Sequence, residues 1–339
     1  MVGNKQKTIS NRDRSIKMKP ALKKASSGKL DIDSKLFMLD KRRFADAFNY
    51  FMYGGEQVIN PENLKAMDTT AIALPYGDNA REPIQKFRDV LKKWTVNRDG
   101  NAIYAILGIE NQSEINYAMA VRNMLYDAIG YDEQVHNAKK SYKNRKGLNH
   151  AEFVSGFKKS DKLIPIITLV VYFGANEWDA PRSIKEMLDT TDGRILQFVQ
   201  DYKINLIEPY KLSIEDLDSF HTDLGLALKF IKYSRDKQAL DKVISQDDRY
   251  KSLERDAFYL MNDITKSNIK PIIKGDKVDM CAAIEAMRME SRQEGLIEGE
   301  QRGIAIGTEQ TKREIYERLI ESKTMSPQEA AAMTGLVSQ

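Results

Sequence analysis

Residues 86–112 read KFRDVLKKWTVNRDGNAIYAILGIENQ, and the fold turns on how this stretch divides. Phe87 to Val96 mixes apolar and β-branched residues, Asn97 to Asn101 is turn chemistry, and Ala102 to Ile109 is almost wholly apolar. The pattern is strand, tight turn, strand, with the second strand buried on both faces. Asp99-Gly100 is a strong two-residue hairpin signal, because both turn positions need positive φ. Such a turn also sets the register. Counting back from it, Arg98 faces Asn101 and Asp89 faces Glu110, and a bulge would shift that pairing by one. Cross-strand partners hold their Cβ atoms about 4.5–5.5 Å apart on one face. Gln112, two residues beyond Glu110, projects from the same face.

Downstream, Ala118, Val121, Leu125, Ala128 and Ile129 recur as the apolar face of a helix, with Arg122 and Asp127 off it. Residues 137–162 are basic and polar, a loop or crossover. Leu163 to Phe173 is a second core strand, ended by Gly174. Strand pair, helix and buried strand together make an α/β fold, a sheet flanked by helices. Upstream, Phe37, Leu39, Phe44, Phe48, Phe51 and Met52 stripe one helix that Gly54-Gly55 stops. Polar, Pro-containing sequence follows through Asn79. After Pro181 the pattern turns mainly helical, near 183–189, 213–235 and 236–265. The expected organisation is a basic disordered arm over 1–35, a core domain over 36–210, a helical extension over 211–275, and a C-terminal helical region over 276–339.

Of the 339 residues, 42% are hydrophobic and 30% charged, which excludes wholesale disorder. The longest nearly uncharged run, Leu163 to Ala175, falls short of the roughly 18–20 residues a bilayer demands. No apolar segment follows the basic N-terminus before Asp31, so a signal peptide is not expected. The single Cys281 excludes an internal disulfide, and with three scattered histidines (His136, His150, His221) it disfavours a Cys/His metal cage. The expectation is a soluble, cytoplasmic protein with no membrane partner. Residues 1–30 hold nine Lys/Arg and one acid, Asp13, while the whole chain is +4. A basic arm therefore hangs from a mildly acidic body. Lys17, Lys19, Lys23 and Lys24 suit a DNA backbone, where cations release condensed counterions; the other reading is a solvated tail.

Asp89 and Glu110 carry the chemistry. Two facing carboxylates repel, and a divalent cation between them removes the penalty. Mg²⁺ takes oxygen ligands, commonly one or two carboxylates with waters and phosphate oxygens. It can polarise a phosphodiester and acidify the attacking water. The Gln112 amide can orient that water but has no charge or proton to give. The other reading places both carboxylates in solvent at a sheet edge, although the apolar run before Glu110 marks a central strand.

Arg88-Asp89-Val90, Ile109-Glu110-Asn111-Gln112-Ser113 and Ala118-Met119-Ala120-Val121-Arg122 with Tyr126 follow one another here. Then come Leu163-Ile164-Pro165-Ile166-Ile167, Tyr172-Phe173-Gly174, Trp178 and Pro181, with Phe44-Ala45-Asp46-Ala47-Phe48 ahead of them. This order resembles the Rpn family of recombination-promoting nucleases within the PD-(D/E)XK superfamily. The resemblance covers residues 40–190 and, loosely, the last 50. It implies a restriction-endonuclease-like mixed sheet flanked by helices, cutting DNA with Mg²⁺, or Mn²⁺ or Ca²⁺. Position by position, it implies Asp89 and Glu110 as metal ligands, joined by the Asn111 carbonyl, with Gln112 in the place of the usual lysine. Asp46 would be a further ligand, or else an ordinary helix-surface acid. Arg122 and Tyr126, four apart, share a face that could meet phosphate, or form a salt bridge and a core contact.

At the C-terminus Gly295, Gly299, Gly303 and Gly307 recur every four residues. On a helix they form a ridge for close pairing with a second copy, or they fray it at about 1 kcal/mol each. Ser326-Pro327-Gln328-Glu329 is a helix start. Two functions follow. One is a metal-dependent DNA endonuclease in recombination or mobile-element biology; the other is a DNA- or partner-binding module on the same fold. No phosphate-binding G-x-x-x-x-G-K-[ST] loop supports a nucleotide hydrolase.

Overall fold

A computed structural model describes residues 32–68, 70–73, 84–87, 89–98, 101–142, 147–174, 176–323 and 325–336. The arm lysines Lys17, Lys19, Lys23 and Lys24 and the Asp99-Gly100 turn lie outside the described residues. The chain divides into two compact units, Met1–Met280 and Cys281–Gln339.

The first unit is built on strands β1 (Leu64–Ala66), β2 (Thr70–Ala73), β3 (Ile84–Phe87), β4 (Val90–Arg98), β5 (Asn101–Gln112), β6 (Ile166–Tyr172) and β7 (Asn205–Ile207). Five of them form one mixed sheet in the order β1-β4-β5-β6-β7, and β2 pairs with β3 apart from it. The β1–β4 and β4–β5 pairs are antiparallel, and β5–β6 and β6–β7 parallel. The β4–β5 ladder runs from Arg98↔Asn101 to Val90↔Ile109, the register a two-residue turn dictates. The expected strand over 87–96 is in fact two, with Asp89 in a bend ahead of β4.

Both faces of the sheet are covered. Helix α1 is Lys41–Tyr53 and α2 is Met119–Ser141. Residues 32–39 are also helical, so the stripe over 37–52 makes two helices. Asp40 separates them as the N-cap of α1, accepting the Arg42 N–H, and Gly54 ends α1 in the left-handed conformation. Phe37, Phe44 and Phe48 are buried while Leu39 and Phe51 are exposed. Phe37 meets Phe173 edge to face at 6.3 Å on one side of the sheet. On the other side Met119 and Ala120 of α2 pack with Val170 and Tyr172.

The α2 face differs from the expected one. Met119, Ala120, Asn123, Tyr126, Asp127 and Ile129 are buried, while Val121 is exposed. Asp127 finds polar partners beneath the helix: the Thr168 hydroxyl of β6 donates to its Oδ1 at 2.6 Å, and the Tyr202 hydroxyl donates to Oδ2 at 2.6 Å. Polar partners therefore turn the helix by about one residue from its apolar stripe. The helix also runs on through Ser141, into sequence expected to be a loop.

The helical extension over 211–275 packs against α1. The buried Arg43 guanidinium holds Glu254 at 2.6 Å and Asp256 at 2.5 Å, and Tyr50 stacks on Phe220 at 4.6 Å. Helices Asp223–Tyr233, Lys237–Gln246 and Arg255–Thr265 form as the pattern over 213–265 anticipates. The segment near 183–189 is only a 3₁₀ turn, Lys185–Met187.

The second unit continues one 42-residue helix, Met280–Glu321, without fraying at its glycines. A methyl group added at Gly295, Gly299, Gly303 or Gly307 would meet no atom within 4 Å. A short helix, Pro327–Thr334, follows, with Ser326 and Glu329 forming the expected capping box. None of the described helices is long and apolar enough to cross a membrane.

Candidate active site

Strand β5 outlasts β4 at one end, and the candidate site lies there. The Ile106 N–H and the Gln112 carbonyl bond to the β6 side, so alternation turns the Asn111 N–H and carbonyl toward β4. The described ladder stops at Val90. Asp89 Oδ2 accepts the Asn111 N–H at 2.8 Å, and the Gln112 side chain donates to the Asn111 carbonyl at 2.9 Å. Among the described residues, two side chains thus bond the main chain of Asn111 on its β4 side.

Glu110 pairs with Val170 across the sheet and is fully buried. Arg122, on the first turn of α2, brings Nη2 to 3.1 Å from Glu110 Oε2. Its Nε donates to the Tyr126 hydroxyl at 3.1 Å, and its guanidinium carbon lies 5.5 Å from that ring's centre. Burial opposes the guanidinium charge. The negative charge of Glu110, the Tyr126 hydroxyl and Asp89 outweigh it and hold Arg122 above its ordinary value. Burial also raises the Tyr126 hydroxyl, and Glu110 adds to that rise against the lowering effect of Arg122. Asp89, Glu110, Gln112, Arg122 and Tyr126 are therefore one neighbourhood, drawn from β5, α2 and the bend ahead of β4.

Asp46 is committed elsewhere. It is buried, not on a helix surface, and its carboxylate accepts the N–H groups of His221 and Thr222 and the Thr222 hydroxyl, at 2.6–3.0 Å. Thr222 is the N-cap of helix Asp223–Tyr233, so Asp46 steadies a helix start. Asn123 stands out only in the folded chain. It is fully buried on the inner face of α2, and its amide has no hydrogen-bond partner among the described residues. The residue types offer no signal for it, since its helical neighbours have to be placed first.

The donor set suits a hard divalent cation: carboxylate oxygens from Asp89 and Glu110 and the backbone carbonyl of Asn111. No three His, Cys, Asp or Glu side chains gather into a metal-holding group among the described residues.

No curated protein and no solved structure matches the chain. A family model does, that of the YhgA-like putative transposases, over residues 68–257. The match takes in Asp89, Glu110, Gln112, Arg122 and Tyr126 but not Asp46, the arm or the long C-terminal helix. Because it spans more than half of the 339 residues, the chain belongs to the YhgA-like putative transposase family.

Proposed function

We propose that the protein is a divalent-metal-dependent DNA endonuclease acting in recombination or another branch of mobile-element biology, in the cytoplasm. The observation that carries this reading is a fully buried Glu110 at the end of β5, with the Asp89 carboxylate bound to the N–H of the next residue, inside the family-matched region. When bound, Mg²⁺ or Mn²⁺ supplies Lewis-acid polarisation of the phosphodiester and acidifies water. Asp89, Glu110 and the Asn111 carbonyl hold the ion. Gln112 orients water or a phosphate oxygen through its amide, and Arg122 with Tyr126 meets the DNA backbone. DNA is one partner; a second copy of the chain, along the long C-terminal helix, is the other.

One observation favours a second reading, a binding module that does not cut. Arg122 already balances Glu110, so the pair of charges is satisfied without a metal. Plasmid cleavage with Mg²⁺, Mn²⁺, Ca²⁺ or EDTA separates the two. Metal-dependent nicking by the wild type, lost in Glu110→Ala, supports the nuclease. Equal gel shifts by both proteins with no cutting in any metal would put the binding module in its place.

A further inference from the structure

We infer that Arg122 is the built-in counter-ion of the Asp89–Glu110 site, competing with the divalent cation for Glu110 and coupling cation binding to phosphate binding. The inference rests on the metal-site reading above and goes beyond it in assigning the order in which charges occupy the site.

The ground is geometric. Glu110 is fully buried, and a carboxylate there is tolerated only beside a compensating charge. Arg122 supplies that charge at 3.1 Å, with Tyr126 steadying its Nε. Yet the Arg122 side chain is 35% exposed, so part of it already reaches solvent. It can leave Glu110 without unpacking α2, as long cationic side chains do at apolar boundaries. A guanidinium keeps its charge at every working pH, so it cannot make way for a cation by losing a proton. It has to move. A DNA phosphate beside α2 offers it a bidentate alternative to Glu110. Phosphate binding then vacates Glu110 for the cation, and by reciprocity the cation tightens the grip on DNA. The site rests closed by its own arginine and loads when backbone arrives.

The test is thermal unfolding of the full-length chain titrated with Mn²⁺, with and without a short DNA duplex. Wild type is compared with Arg122→Met, Arg122→Lys, Asp89→Asn and Glu110→Gln. Arg122→Met should unfold at a lower temperature than wild type in EDTA. Its Mn²⁺ midpoint should fall about tenfold below the wild-type value and no longer respond to duplex. Duplex should lower the wild-type midpoint by a similar factor, and Arg122→Lys should behave closer to wild type. Equal midpoints in wild type and Arg122→Met would overturn the counter-ion role while leaving the metal site standing. A wild-type midpoint unmoved by duplex would overturn the coupling. No Mn²⁺ response in any protein, or one that survives Asp89→Asn and Glu110→Gln, would overturn the metal site and the inference together. Should Arg122→Met not fold, the double variant with Glu110→Gln decides: recovered folding supports charge compensation, and continued failure overturns it.

Discussion

Among the charged side chains buried in the first unit, Glu110 and Lys92 are treated differently by their neighbours. Glu110 receives a guanidinium. Lys92 receives the Leu39 carbonyl at 2.7 Å, the face of Phe44 4.8 Å from its ammonium, and the more distant charge of Asp40. Burial therefore pulls Lys92 down from 10.5 to about 8. At pH 7 it is protonated in both folded and unfolded chains, and the folded state bears the cost of a buried cation. As pH rises from about 8 to 10.5 the folded state sheds that proton first, so stability should climb across this window. Lys92→Met should raise stability at pH 7, by up to ~3 kcal/mol less the lost hydrogen bond, and flatten the climb. Denaturant melts at pH 7 and pH 10 check both. Asp46→Ala should cost about 2 kcal/mol, since it leaves the partly buried His221 and Thr222 N–H groups, just ahead of helix Asp223–Tyr233, without their acceptor. Were Asp46 a metal ligand, its loss would also remove the Mn²⁺ response, which the same melts would detect. Asp89→Asn keeps an acceptor for the Asn111 N–H but removes the charge that attracts a cation. It should abolish cleavage and leave DNA binding intact or tighter; undiminished cutting would remove Asp89 from the site.

At the scale of elements, α2 is the instructive case. Its apolar residues recur with helical spacing, so the helix itself is plain in the sequence. Its orientation is not, because Arg122 and Asp127 face partners on the sheet and at Tyr202 that lie 12 to 75 residues away. The short edge strands β1 and β7, three residues each, carry too few side chains for a period to show. The long helix poses the opposite problem: it is fully formed, yet Leu296 and Ile306 are 66% and 59% exposed. At 100° per residue both fall within the glycine face. An antiparallel pairing of two copies about Gln301 would set Leu296 against Ile306 and Gly299 against Gly303. It would also set Arg288 against Glu314, whereas parallel pairing would oppose like charges. Leu296→Glu with Ile306→Glu should therefore halve the mass seen by light scattering, and truncation at Asp279 should leave a monomer. An unchanged mass would leave this face without that role.

For the whole molecule, charge separates the parts. The family-matched region carries the candidate site, and the nine basic residues of the first 30 lie outside it. If the arm holds DNA phosphates, deleting residues 1–30 should weaken binding. It should also flatten the slope of log affinity against log salt by roughly 0.9 for each phosphate the arm neutralises. An identical slope would show the arm to be idle. The segment over 211–275 bears on stability rather than on chemistry. Its Glu254, Asp256 and Phe220 clasp α1, so cuts near residue 210 should unfold the first unit instead of releasing an intact domain. Limited proteolysis followed by circular dichroism distinguishes these outcomes.

What the sequence determined by itself was local in origin. The hairpin register follows from counting back from one two-residue turn, and the ladder keeps that count from Arg98↔Asn101 to Val90↔Ile109. The buried strands, the capping box at Ser326 and the stop at Gly54 are likewise written in short-range chemistry. Only the tertiary structure decided which face of α2 meets the sheet, that Arg122 sits on Glu110, and that Asp46 serves a helix start. Each of those depends on a polar partner well removed along the chain. Apolar periodicity reports where a helix prefers oil, and a buried hydrogen bond or ion pair is strong enough to overrule it.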